Sequence, residues 1–317
     1  MRAFGLVQSP GFMVRSRPGP SDSTSTSLAE APLISDTSVP RSNTSPETLP
    51  STILDPTSNI VALKFNDTVN VYGVAAKSKV IALVSPFVEP ITPEAKAANG
   101  MIAGCTARKA WIVFQNQTSS KENIIYLSDV SDPRAKNSAL AAPDVRDKTA
   151  LSMFHDTKRL WVVYQHTKGK IVAYNNKDQS DVDVSHDNSL FIKGTAIASV
   201  FIPVSMIDAS KNPQFKASTL LGRVIIYWVR SYNGTSQLYR SHADVDSKST
   251  GLVFSTPIPA TSDAVEVHET AQIGFVLDEK DQLNRLYVSK LGEDNISQVS
   301  DSWFPEEEGG KDGKDQK

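Results

Sequence analysis

Aromatic rings are the residues of this chain best suited to chemistry. Trp111, Tyr126, Trp161, Tyr174, Trp228 and Tyr239 sit in short apolar runs that recur along the sequence. An exposed indole or phenol covers the C–H face of a sugar, and a buried one packs a core. The sequence leaves both uses open. Catalytic groups are scarcer. The single cysteine, Cys105, lies in MIAGCTA, where it reads as a small buried hydrophobe, and no short motif pairs it with a histidine. His155, His166, His186, His242 and His268 show no metal-ligand spacing, and neither HExxH nor CxxC occurs. Acids gather in polar loops, at Asp178, Asp181, Asp183, Asp278, Glu279 and Asp281. A glycosidase needs two carboxylates, one of them in an apolar pocket that raises its pKa, and these acids read as solvated turn residues. SDVDVSHDN, residues 180–188, alternates acids but lacks the glycine and terminal glutamate of an EF-hand calcium loop, and reads as a polar loop. The expectation is no catalytic residue, no metal and no cofactor.

Composition narrows the partners. The chain has 317 residues, 39% hydrophobic and 21% charged, with a formal net charge of -2. Phosphate binding needs a concentrated basic surface, so nucleic acid is not the expected partner. No run of 18 apolar residues occurs, so no membrane span is expected. Residues 1–56 are dense in Ser, Thr and Pro and read as a disordered arm. The first twenty hold three arginines and no acid, faintly like a transit peptide, without the apolar core of a signal peptide. The compartment stays open between cytoplasmic and leaderless secreted. Residues 305–317 read as a charged, solvated tail. Five N-x-[ST] triplets begin at Asn43, Asn66, Asn116, Asn233 and Asn295. Those at Asn66, Asn116 and Asn233 fall in predicted turns, and chance in a Ser/Thr-rich chain accounts for them.

The elements that must position the rings are short strands. In LWVVYQHTKGKIVAY, Leu160 to Tyr174, two β-rich runs flank a polar break ending in Gly169, which predicts a hairpin. The same unit returns with copies starting near Ile60, Met101, Thr149, Thr195 and Ala264, the fourth interrupted by an insertion from Asp208 to Gly222. Spacings of roughly 40–50 residues, with several short strands each, are the mark of a β-propeller. LFIKG (190–194), LVFSTPI (252–258) and VSDSWF (299–304) are candidates for outer fourth strands. The fold expected over residues 57–304 is an all-β propeller of five or six blades, each a small antiparallel sheet. A β-sandwich also has strands at short intervals, but it has no reason to repeat the order of strand types within each copy.

The hairpin at Leu160–Tyr174 resembles the repeat of the fungal fucose-specific lectins, six-bladed propellers whose second strand runs roughly L-R-V-Y-x-Q. Leu160, Val162, Gln165, Gly169 and Ile171 fall on its framework positions, as do Ile112 and Gln115 in AWIVFQ. VNVYGV and VIIYWV fit more loosely. The resemblance implies that an Arg on the second strand and a Glu or Gln on the third hold sugar hydroxyls, while a ring from the next blade stacks on the sugar. Aligned this way, the Arg place is taken by Asn70, Trp111, Trp161 and Ile225, and the Glu place by Ala82, Tyr126, Ala173 and Arg240, so no copy carries the pair. The expected function is therefore binding and not catalysis. The protein reads as a divergent lectin-like propeller with altered or partly lost sugar pockets, meeting glycans, fucosylated ones among them, through the six rings, with Trp111 and Tyr126 foremost. The alternatives are a protein-interaction scaffold and a glycoside hydrolase.

Overall fold

A computed structural model describes residues 54–304, apart from stretches at 56–57, 66, 87–88, 92–94, 133–134, 187–194, 217–218, 233–234, 261–270 and 291–295. The arm before Leu54, the tail after Phe304, the segment LFIKG and the run AVEVHE at Ala264 lie outside the described residues, as do all the N-x-[ST] asparagines except Asn116. Asn116 sits within a strand and not in a turn, its Oδ1 accepting from the Gln117 backbone N–H.

The described chain is a five-bladed β-propeller built almost entirely of antiparallel strands. Blade 1 comprises β1 (Val61–Phe65), β2 (Thr68–Val74), β3 (Ile81–Ser85) and β4 (Glu89–Pro90). Blade 2 has β5 (Ile102–Thr106), β6 (Ala110–Gln117), β7 (Asn123–Asp129) and β8 (Ser138–Ala139). Blade 3 has β9 (Ser152–His155), β10 (Leu160–Gln165), β11 (Ile171–Asn175) and β12 (Ser180–Asp183). Blade 4 has β13 (Ile197–Pro203), β14 (Leu220–Tyr232), β15 (Thr235–Asp246) and β16 (Ile258–Pro259). Blade 5 shows three strands among the described residues, β17 (Ala271–Asp278), β18 (Leu283–Lys290) and β19 (Ile296–Ser302). The first strands lie against one another in order, β1 on β5, β5 on β9, β9 on β13 and β13 on β17, which makes them the inner strands.

Side-chain alternation explains why these blades must stack. Along β10, Leu160, Val162 and Tyr164 enter the cluster shared with blade 2, while Trp161 and Val163 enter the cluster shared with blade 4. Along β14, Ile225, Tyr227 and Val229 face blade 5, and Val224, Ile226 and Trp228 face blade 3. A strand with apolar residues on both faces needs a neighbour on each side, and a row of blades supplies both. Four apolar clusters fill the four seams between successive blades.

In blade 5, QIGFVL lies in β17 and VSDSWF overlaps β19, the third of the three strands described there. SDVD, expected in a polar loop, is β12, the outer strand of blade 3, because Asp181 and Asp183 alternate with the half-buried Val182 at the sheet edge. The connection between β13 and β14 carries two short 3-10 turns, Val204–Met206 and Pro213–Phe215, and β14 starts at Leu220, inside the expected insertion.

Candidate functional site

Register decides which side chains meet at the rim where each first strand turns into the second. One residue in from the end of the first strand, Cys105 faces Trp111, Phe154 faces Trp161 and Ile202 faces Arg223. On the third strand the partners are Asp129, Asn175 and Asp244. Blades 2, 3 and 4 therefore present the same constellation: an aromatic ring or guanidinium on the second strand, and a carboxylate or carboxamide opposite it. The sequence alignment had placed Tyr126, Ala173 and Arg240 in that third-strand role, but they lie opposite Phe114, Val163 and Tyr227.

In blade 4 an arginine on the second strand faces an aspartate on the third. Arg223 donates through Nε and Nη2 to the two carboxylate oxygens of Asp244, at 2.6 and 3.1 Å. Just beyond this pair a bulge interrupts the β14–β15 ladder between Leu220 and Gly222. Gly222 has φ +156°, and a Cβ there would come within 2.2 Å of the Ile202 carbonyl oxygen, so only glycine fits.

The three rims differ in openness. In blade 3, Trp161 and Asn175 are fully buried, and the indole N–H donates to the buried Asp156 at 2.7 Å. In blade 4 the Arg223 guanidinium also donates to the Trp303 carbonyl at 3.1 Å and lies 4.3 Å from the Phe304 ring centroid. Each of its three nitrogens is engaged within the fold. Blade 2 is the open rim. Trp111 is half-buried and stacks on His155 of blade 3, ring centroids 5.9 Å apart and planes 4° from parallel. Beside it the exposed Lys109 donates to Asp129 at 2.7 Å.

Electrostatics set the protonation states at this rim. Burial pushes the Asp129 carboxyl up, but hydrogen bonds from Lys109 and Ser131 outweigh it and leave the pKa below the usual carboxylate range. Burial depresses the His155 pKa, opposed by the charge of Asp156. His155 Nδ1 accepts from the Thr157 backbone N–H at 3.1 Å, so the neutral ring carries its proton on Nε2. The rim thus offers a ring face, a carboxylate, an ammonium and an imidazole N–H.

The six rings named from the sequence fall into three seams. Trp111 and Tyr174 pack between blades 2 and 3, Tyr126 between blades 1 and 2, and Trp161, Trp228 and Tyr239 between blades 3 and 4. Trp111 and Tyr126 are on opposite faces of blade 2 and do not share a pocket. Tyr126 stacks on Phe114 at 5.5 Å, Tyr174 and Trp228 are buried, and Tyr239 lies under Arg230 at 5.1 Å. Sequence reasoning missed Asp129, Lys109 and His155 at the open rim, and Arg223 and Asp244 in blade 4. The arginine directly after Gly222 was a usable signal, since it matches the family's second-strand arginine if the strand starts two residues earlier. The seam between blades 4 and 5 received none of the six rings. It holds instead a buried polar network of Arg240, Asp301, Tyr227, Asn284 and Trp303.

No three or more His, Cys, Asp or Glu side chains among the described residues cluster so as to hold a metal ion. No helix among them is long and apolar enough to cross a membrane.

No protein-family model matches the sequence, and no curated protein matches it. Similar solved structures include the SapL1 lectin in complex with alpha methyl fucoside, at 13% identity and TM-score 0.46, covering 80% of this chain and 83% of that one. Another is the six-bladed fungal lectin of Aleuria aurantia, at 14% identity and TM-score 0.42, covering 74% of this chain and 73% of that one. A third is the endo-arabinase of Bacteroides thetaiotaomicron, at 11% identity and TM-score 0.42, covering 81% of this chain and 98% of that one.

Proposed function

We propose that the protein is a carbohydrate-binding propeller whose working site is the rim between blades 2 and 3. The observation that supports this reading is the setting of Trp111. Its half-buried ring lies beside a carboxylate on the facing strand and an imidazole from the next blade. A pyranose has one face of C–H groups and a rim of hydroxyls. The indole suits the first; Asp129, Lys109 and the His155 N–H suit the second. The fungal fucose-lectin repeat that the sequence resembles uses the same division of labour, and a fucosylated glycan is the first ligand to try. The equivalent groups in blades 3 and 4 are held by the protein itself, so of these three rims the one at Trp111 is the one left for a ligand.

A glycan array followed by calorimetry tests this. Binding should be detectable, and Trp111→Ala should weaken it at least about tenfold, the loss expected when one stacking ring is removed. Asp129→Asn should weaken it as well.

A second reading, a protein-interaction scaffold, is favoured by the closure of the other rims: Trp161 is fully buried, and Arg223 is saturated by Asp244 and Trp303. Silence across the array, with a protein recovered by pull-down and lost on mutating the same rim, would select it.

A further inference from the structure

Alternation along a strand assigns each side chain to one face of its blade. In blade 1, Tyr72 and Val74 face blade 2, which leaves Val69, Val71 and Gly73 on the other face. In blade 5, Phe275, Leu286 and Val299 face blade 4, which leaves Gly274, Val276, Tyr287 and Ile296 on the far side. Val69 is 40% exposed, Val276 54% and Ile296 39%, so three of the six exposed large hydrophobics among the described residues lie on these two end faces. Val71 and Tyr287 are half-buried. None of the four apolar clusters joins blade 5 to blade 1. Apolar surface gathered on two end faces in this way calls for a cover.

We propose that the chain's own N-terminal segment Phe4–Val14 docks on the end faces of blades 1 and 5 and covers the fifth seam of the propeller.

The point where the chain enters blade 1 favours this occupant. A Cβ on Gly73 would come within 2.8 Å of Leu54 Cδ2, so the Leu54 side chain already rests on the end face of blade 1. The entry is firmly held. The Asp55 backbone N–H donates to the Val74 carbonyl at 2.8 Å, and the buried Asp55 carboxylate pairs with Lys79. Fifty-three residues precede Leu54. At about 3.3 Å per extended residue, reach does not limit where they dock. Their apolar side chains are unevenly spread. FGLVQSPGFMV, Phe4–Val14, holds six large apolar residues in eleven, whereas residues 15–53 hold six in thirty-nine. Such a run has apolar surface to bury, and the Ser/Thr/Pro-rich stretch after it serves as the connector. Charge points the same way. Arg2, Arg15 and Arg17 flank the run, with no acid in the first twenty residues. The turn beyond Val276 carries Asp278, Glu279 and Asp281 against Lys280 and the nearby Arg285. Basic flanks therefore meet a net acidic rim. This surface is separate from the rim at Trp111 and does not depend on the carbohydrate reading.

Thiol labelling tests the proposal, because the single native cysteine, Cys105, is buried and stays silent. Val69→Cys and Val276→Cys report on the two end faces, and Val253→Cys, on the strongly exposed blade 4 connection, serves as the control. In the full chain both end-face thiols should react with a maleimide at least about tenfold more slowly than after removal of residues 1–20. The control should react equally fast in both. A synthetic peptide of residues 1–20, added to the shortened chain, should restore the protection saturably. Should the shortened chain fold poorly, the full chain carrying Phe4→Ser, Leu6→Ser, Phe12→Ser and Val14→Ser takes its place and should label as fast. End-face labelling that neither the truncation nor the serine variant changes would overturn the proposal. Protection that grows with protein concentration would also overturn it, since a second copy would then be the cover.

Discussion

At the scale of single residues, burial sorts chemically similar side chains into different jobs. Trp161 and Trp111 occupy equivalent places on adjacent blades, yet one is fully buried and the other half-exposed. Trp161→Ala should therefore cost about 3–5 kcal/mol in urea unfolding, the usual penalty for removing a buried large ring. Trp111→Ala should cost clearly less and act on ligand binding instead. Cys105 is buried, and burial pushes its thiol up to about 12. It should resist a thiol reagent at neutral pH in the folded protein and react when urea unfolds it; prompt labelling of the native protein would contradict this. His242 gives a pH dependence with a definite sign. Its folded pKa, about 4, is below its ordinary 6.5, so the unfolded chain takes up the proton first as pH falls. Its contribution to stability is complete above about pH 6.5 and is lost as pH falls toward 4. The urea midpoint of the unaltered protein should drop across that window, and His242→Asn should flatten the drop, which isolates it from the carboxylates titrating nearby.

At the scale of elements, the connection from β15 to β16 is the longest between a third and a fourth strand among the described residues. It reaches across to blade 3, where Lys158 donates to the Ser247 carbonyl at 2.5 Å and Arg159 to the Thr250 carbonyl. His186 meets the Phe254 carbonyl oxygen at 3.0 Å. Leu252 and Phe254 are buried in the seam between blades 3 and 4, while Val253 between them is 86% exposed. Phe254→Ala should cost about 3–5 kcal/mol, and Val253→Ser should stay within about 0.5 kcal/mol, both read by urea unfolding. Much of the strand plan was legible in the sequence because the hairpin at Leu160–Tyr174 combines β-formers with a turn glycine, and Gly169 does take φ +93°. Register was not legible. It depends on turn lengths, and a shift of three residues moves the facing partner of Trp111 from Tyr126 to Asp129.

At the scale of the whole molecule, five sheets meet through four apolar seams, and each seam joins only neighbouring blades. Stability should then vary along the row, highest where a strand is buried on both faces. Amide hydrogen exchange should be slowest in β10 and β14 and fastest at the exposed start of β19, Ile296–Gln298; uniform protection across the blades would contradict that. The same architecture leaves the rim between blades 2 and 3 as the place where a ring, a carboxylate and an imidazole meet solvent. The most direct test is a titration of the full chain with fucosylated glycans, followed through the indole N–H resonances of its four tryptophans. Binding should shift the Trp111 signal saturably and leave Trp161, Trp228 and Trp303 in place. Saturable binding that shifts one of those three and spares Trp111, or no binding by any glycan, would contradict the account.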